Sequence, residues 1–232
     1  MSPSTGVVVV AAEPREFAGL LRDSPGVKLD WSVDFARLSR GFVLLANGPG
    51  PALSAKAVRE AAQRTEIRAL VSTGFCGGLD PGLAVGDVVI GNNVLDGPSG
   101  QQYRAAIPAG PAAAKVGLIL SMDRVAVAVE EKAALQRSTG ACCIEMEAAA
   151  VARLASELNV PFYCIRVVSD PATCDLGLDF NAFRDAEGRF SLPRIAVAAI
   201  RRPQYLRPLL ELDRNCRKAA GDLGEFLANC RF

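Results

Sequence analysis

Two carboxylates, Glu147 and Asp170, are the residues of this sequence best placed to do chemistry together. Glu147 opens an alanine-rich segment with helical apolar spacing, and Asp170 follows the β-rich apolar run 162–168. Pro161 separates the two segments, because the residue before a proline is disfavoured in a helix. A helix of about 13 residues spans roughly 20 Å and a strand of about seven spans roughly 23 Å. The chain therefore returns to its starting edge, and both carboxylates should face one cleft there.

The absence of histidine narrows the chemistry further. The chain has 232 residues and no histidine, which excludes a Ser-His-Asp triad, a Cys-His pair and a histidine-ligated metal. Acid–base work therefore falls to carboxylates. Asp170 would need a raised pKa to donate a proton near pH 7, and burial beside an apolar strand can raise it. We expect no metal and no organic cofactor.

Composition predicts one soluble globular domain over residues 1–232. Half of the residues are apolar, and 26 Lys and Arg against 25 Asp and Glu give a net charge of +1. That balance gives no reason to expect nucleic acid or an acidic membrane as a partner. Seven cysteines without a C-x-x-C pair suit a reducing compartment, and no apolar run is long enough to span a membrane. We therefore expect a cytoplasmic protein.

The order of the apolar segments predicts alternating strands and helices. Arg166 lies inside a strand that should be buried, so it needs a carboxylate partner, for which Glu145 and Glu147 are the candidates. The remaining segments are predicted as follows: strands at 6–12, 29–33, 42–46, 67–72 and 116–121, helices at 52–64, from 191 and over 203–230, and loops at 96–114 and 176–190.

Two motifs resemble the nucleoside phosphorylase/nucleosidase superfamily. The first is E-M-E-A-A-A with V-P-F-Y-C-I-R-V-V-S-D, and the second is T-G-F-C-G-G-L over residues 73–79. Their general pattern is similar to that of methylthioadenosine/S-adenosylhomocysteine nucleosidases. The resemblance implies a single-domain α/β protein with three α/β/α layers around a mixed, largely parallel, twisted sheet. It also implies a homo-oligomer, most simply a dimer.

The resemblance assigns roles to individual residues. Glu147 would hold the ribose hydroxyls, Asp170 would assist departure of the purine, and Glu16 would activate the attacking water, with Glu13 as the competing candidate. Further substrate-binding positions would be Phe75, Cys76, Gly77, Glu145, Met146 and Ser169. A phosphate or water site would fall near Arg15, Gly48 and Thr73.

These roles predict cleavage of the N-glycosidic bond of a purine nucleoside, by water or by inorganic phosphate as co-substrate. Val125 stands where the nucleosidases usually place an aromatic that stacks on adenine, so either Phe75 or another ring must replace it or the base is held less tightly. The C-terminal part is more similar to hopanoid-associated phosphorylases, which implies an adenosine with a hydrophobic 5′ group, such as adenosylhopane. The short 96–114 segment, with Tyr103, Ile107 and Pro108, would then leave an apolar-rimmed pocket.

Two other functions stay open. The first is a plain methylthioadenosine/S-adenosylhomocysteine nucleosidase, whose pocket a neighbouring subunit closes. The second is a non-catalytic nucleoside-binding or dinucleotide-binding α/β module, which the lack of G-x-G-x-x-G after the first strand disfavours for a dinucleotide. The partner is expected to be a small nucleoside, with no nucleic acid and no membrane span, although a lipid substrate would bring peripheral membrane contact.

Overall fold

The apolar runs of the sequence form a mixed sheet flanked by helices. A computed structural model describes residues 6–110 and 114–232. The strands are β1 (Val7–Ala11), β2 (Val27–Lys28), β3 (Phe35–Ser39), β4 (Phe42–Ala46), β5 (Ala69–Gly78), β6 (Val88–Asp96), β7 (Gln102–Arg104), β8 (Lys115–Ser121), β9 (Cys143–Glu145) and β10 (Phe162–Asp170). The helices are α1 (Ala18–Leu21), α2 (Pro51–Arg64), α3 (Val129–Thr139), α4 (Ala148–Leu158), α5 (Leu192–Arg201) and α6 (Leu206–Ala228), with 3₁₀ turns at Pro14–Phe17, Phe180–Phe183 and Pro203–Tyr205.

Parallel strands occupy the centre of the sheet. β4, β1, β5 and β10 lie side by side in that order and run parallel. On one side β3 and β2 continue the sheet with antiparallel pairing. On the other side β10 pairs with β6, β6 with β8, β8 with β9, and β9 with β5. The sheet therefore closes on itself next to β5, and the predicted α/β fold with a mixed sheet is confirmed.

Strand β1 shows how the sheet separates two apolar layers. Val8 and Val10 belong to the cluster that contains the buried residues of α2 and α4, whereas Val9 packs into the cluster that contains those of α6. Successive strand side chains point to opposite faces, so one continuous valine run serves both layers. The result is the three-layer arrangement that the sequence predicts.

Helix α4 and strand β10 form the helix–strand pair predicted around the central motif. Asn159 ends the helix in a left-handed conformation with φ 53°, and Pro161 directly precedes the strand. Because the strand returns along the direction of the helix, Glu147 and Asp170 come to line the same cavity.

Some predicted elements differ from the structure. The segment 29–33 is a partly buried loop between β2 and β3, so the predicted strand there is wrong: its apolar residues alternate but find no neighbouring strand. The predicted loop at 96–114 contains β7, and its residues 111–113 lie outside the described ranges. β5 extends six residues beyond its predicted end, to Gly78.

Six elements were not predicted from the sequence. They are β2, β3, β6, β7, β9 and α3. Within the described ranges, no helix combines the length and apolarity needed to cross the hydrocarbon core of a membrane.

A pair of glycines lets α6 pack against the backbone of α1. A Cβ atom added at Gly224 would lie 2.2 Å from the carbonyl carbon of Gly19, and one added at Gly19 would lie 2.3 Å from the carbonyl oxygen of Ala220. No side chain fits at either position without moving the helix. Gly221, on the same helix, has ordinary space instead, because its nearest neighbour would be the Arg22 guanidinium at 3.5 Å.

We predict that Gly224→Ala lowers the free energy of unfolding by about 1–3 kcal/mol, since overpacking costs that much in a close-packed interior. Gly221→Ala is the matched control and should leave stability unchanged or raise it by up to about 1 kcal/mol, because alanine favours a helix. Chemical denaturation of both variants measures the difference. Equal stability of the two variants would contradict the close contact.

Candidate active site

One cavity collects the residues that end the central strands. Its volume is about 190 Å³. Its lining residues lie after β1, at the carboxyl end of β5, after β9 and at the end of β10. This is the edge of the sheet at which α/β proteins bind ligands. Its carboxylates are Glu13, Glu16, Glu145, Glu147 and Asp170.

Glu16 is a buried carboxylate held by backbone amides. Its Oε1 accepts a hydrogen bond from the Phe75 amide at 2.6 Å, and its Oε2 accepts one from the Glu13 amide at 2.6 Å. Burial, reinforced by the nearby Glu147 charge, raises the pKa of Glu16 to about 7. Gly74 permits this arrangement, because a Cβ atom there would lie 2.3 Å from Glu16 Oε1.

Glu13, the competing candidate, has a different environment. Its side chain is one-third exposed and forms an ion pair with Arg15 at 2.5 Å. The Arg15 guanidinium also lies over the Phe75 ring, 5.6 Å from its centroid. Glu13 is therefore paired with a cation, whereas Glu16 accepts hydrogen bonds from two backbone amides.

Glu147 connects two distant segments at the base of the cavity. Its Oε1 accepts a hydrogen bond from the Gly50 amide at 2.8 Å, and its Oε2 lies 3.3 Å from Nη1 of Arg166. Burial raises the pKa of Glu147 to about 7 even though Arg166 acts in the opposite direction. Glu147 thus combines a fixed position with a pKa raised towards neutral pH.

Arg166 has both of the carboxylate partners that the sequence offered. The guanidinium is fully buried and forms ion pairs with Glu145 and Glu147. It also donates to the Ser72 hydroxyl at 2.5 Å and to the Thr73 carbonyl at 3.1 Å. This network satisfies a charge that would otherwise be very costly to bury.

Glu145 has a mainly structural set of contacts. Its Oε2 accepts hydrogen bonds from the amides of Glu147 and Ala148 at 2.9 and 2.8 Å, which caps the first turn of α4. The same oxygen pairs with Arg166. Its Oε1 is buried with no hydrogen-bond partner among the described residues.

Asp170 lies between a lysine and a serine. Lys132 is fully buried in α3, and its ammonium lies 2.7 Å from Asp170 Oδ2, while the Ser169 hydroxyl donates to Oδ1 at 2.8 Å. Burial raises the pKa of Asp170, and Lys132 together with Ser169 limits that rise. The backbone approaches closely here, since a Cβ atom on Gly77 would lie 3.1 Å from Asp170 Oδ2.

The remaining residues named from the sequence divide into two groups. Gly48 and Thr73, assigned to a phosphate or water site, do not line the cavity, and the Thr73 carbonyl is used by Arg166. The others line the cavity: Arg15, Phe75, Cys76, Gly77, Met146 and Ser169.

Lys132 is the functional candidate that the sequence did not reveal. It stands in a polar stretch of α3, where a lysine usually faces water, and 38 residues separate it from Asp170. Its ammonium also donates to the carbonyls of Pro171 and Cys174 at 3.1 and 3.0 Å, so all three of its protons have acceptors. No local pattern predicts such a pairing.

The apolar wall of the cavity comes from a different segment than expected. Tyr103, Ile107 and Pro108 do not line it. The rings of Phe180 and Phe190 do, packed edge to face with centroids 6.1 Å apart. The expectation that the 96–114 segment rims this cavity is therefore wrong, because β7 pairs with the edge of β6 instead.

Asn181, next to Phe180, forms hydrogen bonds with the loop after β8. Its side-chain amide accepts from the Val125 N–H at 2.9 Å and donates to the Val125 carbonyl at 3.0 Å. Val125 lines the cavity, and the rings of Phe75, Phe180 and Phe190 line it as well.

Comparison with known proteins agrees with the fold and with these motifs. The family model of the phosphorylase superfamily matches residues 7–114 and 101–192. A 5′-methylthioadenosine/S-adenosylhomocysteine nucleosidase of Staphylococcus aureus is 31% identical over 171 residues, covering 62% of this chain and 75% of that protein.

Solved structures share the architecture. A Neisseria meningitidis 5′-methylthioadenosine/S-adenosylhomocysteine nucleosidase in complex with methylthio-immucillin-A superimposes with a TM-score of 0.64 at 25% identity, covering 96% of both chains. A mutant Helicobacter pylori MTAN with 5′-methylthioadenosine in its active site gives a TM-score of 0.68 at 15% identity, covering 97% of this chain and 96% of that one. The chain belongs to the phosphorylase superfamily and is an N-ribosyl-cleaving enzyme of it, a nucleosidase or a nucleoside phosphorylase, not a non-catalytic binding module.

Proposed function

We propose that the protein hydrolyses the N-glycosidic bond of an adenine nucleoside and releases the free base. The observation that carries this proposal is the arrangement of Glu16, Glu147 and Asp170 around one cavity, each buried and each in a different electrostatic environment. Separate environments let carboxylates of one site take separate acid and base roles. The relatives named as nucleosidases support the same reaction.

In the proposed reaction, one of these carboxyl groups donates a proton and another accepts one. As the bond from the anomeric carbon to the purine breaks, its electron pair leaves with the base and positive charge develops on the ribose. Asp170, protonated, gives its proton to a nitrogen of the departing base and becomes a carboxylate facing Lys132. Glu16, ionised, takes a proton from water as the water oxygen bonds to the anomeric carbon. Glu147 holds the ribose hydroxyls.

Water is the favoured nucleophile because the cavity has little free positive charge for phosphate. Arg15 is paired with Glu13, and Arg124, the other arginine lining the cavity, is paired with Glu131. Arg166 is engaged by two carboxylates. An incoming phosphate dianion would also meet Glu16 and Glu147, so a neutral nucleophile fits better. The proposed reaction uses no cofactor.

For the substrate, we propose an adenosine whose 5′ position carries an apolar group. The walls formed by Leu176, Phe180, Phe190 and Leu212 give the cavity a largely apolar side. That side suits the hydrophobic 5′ substituent of an adenosylhopane-type lipid and also the methylthio group of methylthioadenosine, which the names of the relatives favour. The two candidates differ in size, so chain length distinguishes them.

We predict release of adenine from 5′-alkylthioadenosines without phosphate. Lengthening the alkyl group from methyl to octyl should raise kcat/KM steadily, since each added methylene buries apolar surface. Ribose 1-phosphate formation that scales with phosphate concentration would replace hydrolysis with phosphorolysis. A sharp fall of kcat/KM after methyl would favour methylthioadenosine.

Asp170→Asn should lower kcat roughly 100-fold or more, the usual size of general acid–base effects. Asp213→Asn on the surface is the control and should not lower kcat.

We predict that Lys132 helps Asp170 to release its proton. Lys132→Met removes the cation that stabilises the Asp170 carboxylate, so the alkaline limb of the kcat/KM profile should move to higher pH and kcat should fall about tenfold or more. Lys132→Arg keeps the charge and should keep the wild-type limb. If Lys132→Met changes Tm while the limb stays in place, the lysine has only a packing role.

Glu16 gives a pH dependence of stability with a defined sign. Burial raises the pKa of Glu16 to about 7 in the folded state, whereas the ordinary pKa of a glutamate is about 4.5. Folding therefore takes up a proton between these values, and the free energy of unfolding falls as pH rises through that window, by roughly 3 kcal/mol for a shift of this size.

We predict that Glu16→Gln is more stable than the wild type above pH 7 and loses part of the decline between pH 4.5 and 7, while losing activity. Glu147 has a similarly raised pKa, so a smaller decline should persist in this variant. Urea titrations at several pH values measure the slope. A decline identical to that of the wild type would show that Glu16 does not keep its proton in the folded state.

A further inference from the structure

Five large apolar side chains of the C-terminal segment 192–210 are exposed. They are Leu192, Val197 and Ile200 on α5, and Leu206 and Leu210 at the start of α6. Leu192, Ile200 and Leu210 are 73%, 75% and 71% exposed, and the described residues contain only four other exposed large apolar side chains. A single exposed leucine is ordinary, but five exposed large apolar side chains within residues 192–210 indicate a surface that binds a partner. We call these five residues the C-terminal apolar face.

The spacing of residues on α5 shows that this face is an additional surface and not part of the core. Ile195 and Ala199, four residues apart, are buried against the body of the protein. Leu192 and Ile200, eight residues apart, lie on an adjoining side of the helix and point to solvent. The apolar part of the surface of α5 is therefore wider than the part that packs against the body of the protein.

Arginines border the apolar face. Five arginines and two acidic residues lie between positions 192 and 214, a net charge of +3 in a chain whose total is +1. Arg194 and Arg201, seven residues apart, share one side of α5. Arg201 and Arg202 form no ion pair with any described residue. A helix with an apolar face and arginines at its border is typical of proteins that lie on an anionic lipid surface.

The position of this face also connects it to the candidate active site. Phe190, which lines the cavity, is two residues before α5, and the Ser191 amide donates to the carbonyl of Phe183 at 2.8 Å. Leu212, on the first turns of α6, lines the same cavity. The segment that forms the apolar wall of the cavity thus continues into the C-terminal apolar face.

We propose that the C-terminal apolar face docks the enzyme on the surface of a bilayer that contains anionic lipid. The apolar side chains enter the headgroup boundary, and the bordering arginines contact lipid phosphates. A second copy of the chain fits less well, because a two-fold interface centred on this face would bring two sets of the same arginines together. The proposal goes beyond the reaction, and its test requires no turnover.

The test is flotation of the full chain with vesicles of phosphatidylcholine, alone or mixed with phosphatidylglycerol. We expect flotation with the mixed vesicles, little with phosphatidylcholine alone, and weaker binding as salt concentration rises. Ile200→Glu should lower the partition coefficient of the protein onto the mixed vesicles about tenfold or more. Val27→Glu is the matched control, because Val27 is 67% exposed on β2 at the far edge of the sheet. This variant should bind the vesicles like the wild type.

A second variant keeps the apolar face and removes charge. Arg201→Gln combined with Arg202→Gln should weaken binding to mixed vesicles about tenfold or more and remove the salt dependence in part. No flotation with mixed vesicles, or an equal loss for Val27→Glu and Ile200→Glu, would overturn the proposal. Light scattering without vesicles completes the test: a lower mass for Ile200→Glu would assign the face to a second copy of the chain and overturn membrane docking.

Discussion

The buried guanidinium of Arg166 is the interaction on which the candidate site depends. It lies in the middle of β10 with no exposed surface, and its charge is met by Glu145 from β9 and by Glu147 at the start of α4. Bonds to Ser72 and Thr73 tie the same group to β5. Removing one partner of such a buried network leaves an uncompensated charge, which typically costs about 3–5 kcal/mol. Three segments are therefore held in one geometry by one side chain.

This arrangement distributes positive charge unevenly among the carboxylates of the cavity. Glu145 shares an oxygen with Arg166 and two helix amides, and Asp170 has the Lys132 ammonium. Glu16 has backbone amides as its partners, and its pKa rises to about 7. Burial raises the pKa of Glu16 and of Asp170 alike, and the Lys132 ammonium limits that rise at Asp170. The site can thus hold a proton donor and a proton acceptor side by side near neutral pH.

Much of the fold could be predicted from the sequence, because the central elements carry strong local patterns. β1, β4, α2 and α4 agree with their predicted ranges to within about two residues, the usual uncertainty of element ends. The segment 29–33 did not form its predicted strand, and β9, of three residues, was missed, because short strands depend on neighbours that lie far away in the chain. The pairing of Lys132 with Asp170 has the same origin: it depends on how α3 packs, which no local pattern encodes. The position of the cavity's apolar wall was missed for this reason too.

The two helical layers support different carboxylates, which explains why the close contact of α6 matters for the site. α4 follows directly from Glu147, whereas α6 packs on α1 and on the 3₁₀ turn that contains Glu16. The family match ends at residue 192, so α6 lies beyond it and yet supplies Leu212 and Cys216 to the cavity. Gly19 and Gly224 allow this helix to approach backbone to backbone, which leaves no room for adjustment by side chains. A shift of α6 would therefore reach Glu16 through the turn before α1, and it would also reach β10, the strand of Arg166, on which α6 packs.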